Sequence, residues 1–267
     1  MTTELLFNIK FNITLEGTMG EQYSKDYQVH FYEADYNLDC TMTSIINILG
    51  DIGTEQSEKL GVGINYLVDK NMAWVFYQYD VKIIRYPKYG EKLKAVTVAK
   101  GFKKFYAIRE YSIYDEDGNK VVEAQAIFFL INIEKRKTMR IPEEQYKAYG
   151  LESDIKEPFK IERLEKLQES TYEKEFKIRY SDIDFNRHVN NAKYVEWAIE
   201  SLPIEVVRDF KLENIKVTFE KECTYGEEIR ALSSVRKEED GSLTSIHRIE
   251  SKDGIELTKL IGKWMKV

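Results

Sequence analysis

The sequence predicts an α+β fold, in which one amphipathic helix packs against a strongly curved antiparallel sheet and the whole plan is built twice in tandem. Three observations predict it. A thirteen-residue stretch recurs in each half. A helical apolar stripe follows each copy. Runs rich in tyrosine, phenylalanine and isoleucine then alternate with turn residues to the end of each half.

The recurrence is gapless. Tyr27 to Asp39 aligns on Phe176 to His188 at a shift of 149 residues (186 − 37). Tyr27/Phe176, Val29/Ile178, Phe31/Tyr180 and Tyr36/Phe185 match in character, and Asp35/Asp184 and Asn37/Asn186 match in identity. A second match lays Val81–Leu93 over Val217–Ile229 at a shift of 136 (222 − 86), and Asp117-Gly118 matches Asp253-Gly254 as a turn between strands. The fall from 149 to 136 places about thirteen extra residues between helix and strand in the first half.

Each element follows from its pattern. Tyr23–Phe31 alternates as a strand. Helix is expected from about Thr43, with Ile45, Ile48, Leu49 and Ile52 at i, i+3, i+4, i+7. Strands are expected near 72–86, 91–102, 104–115 and 119–133. The second half repeats this with a strand over Tyr172–Tyr180 and a helix over Asn191–Ser201 bearing the stripe Val195, Ala198, Ile199, Leu202. Its strands are expected near 214–223, 227–238, 242–251 and 255–267. Residues 134–170 are charge-dense and weakly periodic. They read as a connection, with a short helix around Ile161–Gln168 and the linker proper at 151–170, between halves at 1–150 and 171–267.

Composition narrows the function. The 267 residues are 43% hydrophobic and 13% aromatic, with 18 Tyr and 13 Phe, ample for a core and weighted toward strands. Only 4 Pro and 14 Gly oppose low complexity. A net charge of −6 opposes a general nucleic-acid binder. The longest apolar run, Ala126–Ile131, falls far short of a membrane span, so no membrane association is expected. Cys40 and Cys223 have no paired spacing, and no basic-then-apolar leader opens the chain; a cytoplasmic protein is expected, in which the sequon Asn12-Ile13-Thr14 carries no weight.

The chemistry concentrates in Asp184-Phe185-Asn186-Arg187-His188-Val189-Asn190-Asn191. His188 falls opposite Asp39 in the repeat, and Glu222 falls opposite Tyr86, so both polar replacements occur in the same half. Imidazole near its usual pKa of about 6.5 donates or accepts at neutral pH. Adjacent strand residues point to opposite faces, so only one of Glu222 and Cys223 is expected to face His188. Glu222 is the expected partner; a thiolate at Cys223 activated by His188 and Asn186 is the alternative. Asp184 and Asn186 persist as Asp35 and Asn37 in the other half, which points to a structural share in their role. Asn190 and Asn191 suit a helix cap, whose unpaired N–H groups could also hold an oxygen. Asp182-x-Asp184-x-Asn186 opens like a calcium loop, but its sixth position is Arg187 and its twelfth is Lys193, so no metal is assigned. No cofactor motif is present.

Asp-x-Asn-x-His-Val-Asn-Asn running into Tyr194-Val195-Glu196-Trp197, with Glu222-Cys223 some thirty residues on, resembles the acyl-acyl-carrier-protein (acyl-ACP) thioesterases of plants and bacteria. The resemblance spans both halves and implies two hotdog folds in tandem. It implies hydrolysis of a fatty acyl thioester on acyl carrier protein, with Asp184, Asn186, His188 and Glu222 as the catalytic set. Cys223 matches a cysteine once considered as nucleophile there. Lys135-Arg136-Lys137 with Arg140-Ile141-Pro142 resembles the segment joining the hotdogs. With no plastid transit segment evident, the likeness is to a bacterial member. Acyl-CoA thioester hydrolysis and a hotdog hydratase or dehydratase are the alternative activities, and non-catalytic acyl binding is a further rival.

On this reading Glu222 takes a proton from the attacking water, and the first half supplies an acyl tunnel with Met72 and Trp74 near it. Lys100, Lys103, Lys104, Lys135, Arg136, Lys137 and Arg140 read as solvated faces, or as a dock for an acidic carrier. Homodimerisation is left open.

Overall fold

The computed structural model describes residues 20–156 and 161–267; the sequon at 12–14 lies outside them. The first half contains β1 (Gln22–Gln28), α1 (Met42–Lys59), α2 (Ile64–Asp69), β2 (Met72–Ile83), β3 (Lys92–Lys103), β4 (Tyr106–Tyr114) and β5 (Lys120–Asn132). A short β6 (Lys137–Thr138) and α3 (Glu143–Ala148) lead out of it. The second half contains β7 (Tyr172–Lys177), α4 (Asn191–Glu200), α5 (Ile204–Asp209), β8 (Phe210–Phe219), β9 (Glu228–Lys237), β10 (Leu243–Ser251) and β11 (Glu256–Lys266).

All strands join one antiparallel sheet in the order β1-β3-β4-β5-β2-β8-β11-β10-β9-β7, with β6 paired to β5. The order is a palindrome of the repeat: each half contributes the same five-strand set, and the two meet at β2 and β8. That seam runs from Gln78 opposite Thr218 to Lys82 opposite Asn214. Across it Asn214 Nδ2 donates to Asp80 Oδ1 at 2.7 Å, and the Tyr86 hydroxyl donates to the Leu212 carbonyl at 2.7 Å.

The two long helices pack on each other, α1 against β1 and β3 of its own half and α4 against β9, β10 and β11. The expected α1 stripe is buried throughout, with Ile45, Ile48, Leu49 and Ile52 all at or below 4% exposure. Of the expected second stripe, Val195 and Ala198 of α4 and Leu202 just past its end are buried and Ile199 is half-buried; Tyr194 and Trp197 are buried beside them. Those two aromatics extend the narrow stripe because the sheet covers them too: the Trp197 ring lies 5.8 Å from Phe176 of β7 and the Tyr194 ring 5.8 Å from Phe219 of β8. Thr41 caps α1 by accepting from Ser44 N–H. The extra residues of the first half mostly lengthen the helix: α1 has 18 residues and α4 has 10.

The connection differs from expectation. No helix forms over 161–168. That segment runs as an extended strap across the seam, where its Glu162 carbonyl accepts from Gln78 Nε2 at 2.8 Å and its side chain pairs with Lys216 at 2.5 Å. Leu164 and Leu167 are buried, Leu167 against Leu232 and Ile246. Their i, i+3 spacing imitates a helix, but the strap's bonds to the sheet hold it extended. Residues 134–150, read as part of a weakly periodic connection, carry β6 and α3.

Candidate active site

The site begins with a turn. Ile183 and Val189 form an isolated antiparallel bridge, Asp184 N–H donates to the His188 carbonyl at 2.8 Å, and Arg187 N–H donates to the Asp184 carbonyl at 3.0 Å. The Asp184 carboxylate accepts from Asn186 N–H at 2.8 Å, an Asx turn. The first half repeats each of these bonds and adds one, from Asp39 N–H to the Asp35 carboxylate at 3.0 Å. Asp35 N–H donates to Asp39 at 2.8 Å, Leu38 N–H donates to Asp35 at 3.0 Å, and the Asp35 carboxylate accepts from Asn37 N–H at 2.8 Å. Even the strained positions correspond, Leu38 at φ +61° and Arg187 at φ +66°. Asp184 therefore builds the loop that presents His188, as its retention in both halves implies.

The turn is then stitched to the stretch after β8. Val189 N–H donates to the Cys223 carbonyl at 3.0 Å, as Cys40 N–H donates to the Pro87 carbonyl at 2.7 Å in the other half. This bond sets residue 188 beside residue 222. His188 Nδ1 lies 3.2 Å from Glu222 Oε2, with the two side chains 34% and 36% exposed. The equivalent place in the first half holds Asp39, buried and paired with Lys88 and with Lys211 from the second half. Its Glu222 counterpart, Tyr86, is spent on the Leu212 carbonyl. At this position only the second half brings an imidazole and a carboxylate together; the first half's own pair, His30 Nδ1 with Glu33 Oε2 at 3.0 Å, lies at the place of Arg179 and Asp182 in the repeat.

Cys223 points the other way. It is fully buried, accepts a hydrogen bond from the Tyr194 hydroxyl at 3.4 Å, and burial pushes its thiol up to about 11. It is therefore a neutral thiol at pH 7. Glu222 and Cys223 diverge as expected, though for a different reason. The strand expected over 214–223 is β8 at 210–219, so both residues lie in the irregular stretch after it, where Glu220 and Lys221 N–H both donate to the Leu257 carbonyl.

Residues 20–149 match the model of the acyl-ACP thioesterase N-terminal domain, and residues 165–266 match that of its C-terminal domain. This chain belongs to the acyl-ACP thioesterase family. A Lactobacillus plantarum structure described as an oleoyl thioesterase is 26% identical with a TM-score of 0.88, covering 93% of this chain and 97% of that one. The 12:0-ACP thioesterase of Umbellularia californica is 20% identical with a TM-score of 0.81, covering 92% and 94%. The chloroplastic palmitoyl-acyl carrier protein thioesterase of Gossypium hirsutum is 24% identical over an alignment 264 positions long that covers 92% of this chain. The chain spans 64% of that relative's length. The tandem hotdog architecture expected from the sequence is the one found.

The remaining expected residues of this acyl-ACP thioesterase family member divide between the motif loop, the start of α4 and a separate cluster on β2. Asn186 is exposed at the loop tip and Asp184 half-buried beneath it. Among the described residues no hydrogen bond joins either side chain to His188 or Glu222. Asn190 caps α4, its Oδ1 accepting from Ala192 N–H at 2.9 Å, and Asn191 is the first helical residue. Met72 is buried and Trp74 half-buried in a cluster with Val62, Phe102, Leu130 and Ile141, and Trp74 lies 5.8 Å from the Phe102 ring. Met72 pairs with Asn132 at the end of β5, next to the turn into β6.

One contact escaped the sequence reading. Arg136, at that turn, donates from Nη2 to Glu222 Oε1. It was legible only as part of a basic run. The run is a real surface feature. Lys104, Lys135, Lys137 and Arg140 are exposed, and Ile141 N–H donates to the Lys104 carbonyl at 2.7 Å, which draws the β3–β4 turn to the same edge. Lys100 pairs with Glu110 at 3.1 Å, and Lys103 donates to the Ile155 and Lys156 carbonyls.

Proposed function

We propose that the protein hydrolyses fatty acyl thioesters carried on acyl carrier protein, releasing the free acid and the carrier thiol. The observation that carries this reading is the 3.2 Å approach of His188 Nδ1 to Glu222 Oε2, at a place where the first half holds Asp39 and Tyr86, in a member of this family. Glu222 is the general base, taking a proton from water as the water attacks the carbonyl carbon. His188 fixes the carboxylate and, with Asn186, orients the water or the thioester. A carboxylate has about four lone-pair positions, so contacts to His188 and Arg136 leave room for the water.

The oxyanion that forms is held at the start of α4. The Asn190 side chain takes Ala192 N–H and the Asn190 carbonyl takes Lys193 N–H, which leaves Asn191 N–H as the donor for it. The leaving thiolate has a pKa of about 8.5 as a free thiol and needs little help from an acid. The buried, neutral Cys223 thiol argues against covalent catalysis.

The first half supplies the acyl pocket, with Met72 and Trp74 near its wall, and the basic edge at Lys104, Lys135, Lys137 and Arg140 meets the acidic carrier. Two buried, unpaired thiols support a reducing, cytoplasmic setting.

The test is incubation of the purified protein with a ladder of acyl thioesters on carrier protein and on coenzyme A. Free acid from the carrier series supports the reading. Acid from the coenzyme A series alone moves the substrate to acyl-CoA. Hydration of an enoyl thioester with no thiol released marks the hydratase instead.

A further inference from the structure

We infer that Arg136, a residue of the N-terminal half, positions the Glu222 carboxylate, so that the C-terminal site is completed across the seam between the halves. The inference rests on the proposed hydrolytic reading. Arg136 Nη2 donates to Glu222 Oε1 while His188 Nδ1 faces Oε2. Held at both oxygens, the carboxylate has a fixed plane, and orientation of this kind is what a base needs before a water reaches it.

The backbone supports this assignment. Arg136 sits at φ +48°, in the left-handed region. A side chain there costs about 1–2 kcal/mol that glycine would avoid. The turn is nonetheless anchored on both sides. Lys135 N–H donates to Asn132 Oδ1 at 2.8 Å, Ile131 pairs with Thr138, and Met139 N–H donates to the Leu130 carbonyl at 2.9 Å. A rigid turn thus carries a costly arginine whose guanidinium ends on the general base. Its side chain is 73% exposed, and an ion pair that open contributes little to stability. The contact therefore has more to offer orientation than folding. In the other half the crossing runs in reverse, where Lys211 of the second half reaches Asp39 of the first.

Arg136→Gly and Arg136→Lys, each also built on Glu222→Gln, are assayed on a carrier-free acyl N-acetylcysteamine thioester. Arg136→Gly is expected to lower kcat by about 10- to 100-fold with KM within about threefold of wild type. Its thermal midpoint is expected to be no lower, because glycine relieves the left-handed backbone. Arg136→Lys restores part of kcat, and on Glu222→Gln neither substitution changes the residual rate by more than about twofold. An unchanged kcat for Arg136→Gly on this substrate overturns the inference, even if KM for acyl carrier protein rises, since Arg136 is then a carrier contact only. A wild-type protein that releases no acid from any thioester overturns the hydrolytic reading and this inference with it.

Discussion

His188 and Glu222, 34 residues apart in sequence (222 − 188), meet at 3.2 Å between Nδ1 and Oε2 because one backbone bond, Val189 N–H to the Cys223 carbonyl, ties the motif loop to the stretch after β8. The same bond joins Cys40 to Pro87 in the first half, where it brings Asp39 and Tyr86 to the same places. The framework of a site is thus present twice and its reactive groups once.

The twin turns give an internal control for Asp184. Asp35→Ala should destabilise the fold by about 1–2 kcal/mol, since its carboxylate accepts from Asn37 and Asp39 N–H, and leave kcat within about threefold of wild type. Asp184→Ala should cost similar stability and also lower kcat by at least about tenfold, because its loop carries His188. Chemical denaturation beside steady-state kinetics checks both. Equal kinetic effects from the two would remove the division of labour.

How far the sequence carried this fold can be judged at particular residues. The α1 stripe and the paired turns were legible because their periodicity and repetition are local. The limits of β8 were not, since Val217, Phe219 and Cys223 keep a two-residue spacing interrupted only at Lys221, past the point where Leu257 takes both N–H groups and ends the strand. The strap at 161–168 imitated a helix through Leu164 and Leu167, and only the seam it crosses decides against one. The six-residue α2 and α5 are too short to show a period. Arg136 was beyond reach, because its partner lies 86 residues away and its aim depends on a left-handed turn that no neighbouring residue announces.

Trp74 tests the acyl pocket. Trp74→Ala should shift the chain length of the preferred substrate while turnover persists, because the ring packs in the cluster with Met72 and Phe102 and is bonded to none of the reacting groups among the described residues. Product acids are identified from a mixed acyl-carrier pool. An unchanged product profile would place the acyl chain elsewhere.

His247 makes stability depend on pH. It is fully buried, and burial pushes its imidazole down to about 3. Nε2 lies 2.8 Å from Ser245 Oγ, which also accepts from Trp264 Nε1, and Nδ1 has no partner among the described residues. The unfolded chain takes up a proton near pH 6.5 and the folded chain does not. His247 has no such effect above pH 6.5 and costs about 1.4 kcal/mol of stability per pH unit as pH falls from there toward 3. Urea unfolding of wild type and His247→Leu between pH 7 and 4.5 should show a shallower acid slope in the variant. Parallel slopes would mean the imidazole gains its proton while folded.

The most direct test of the central claim sets Glu222→Gln against Cys223→Ala, with kcat measured on a fatty acyl carrier thioester. Glu222→Gln should lose at least about a hundredfold, and Cys223→Ala should stay within about tenfold of wild type. The opposite result, activity lost with Cys223 and kept without the Glu222 carboxylate, would contradict the base mechanism and return the chemistry to the thiol.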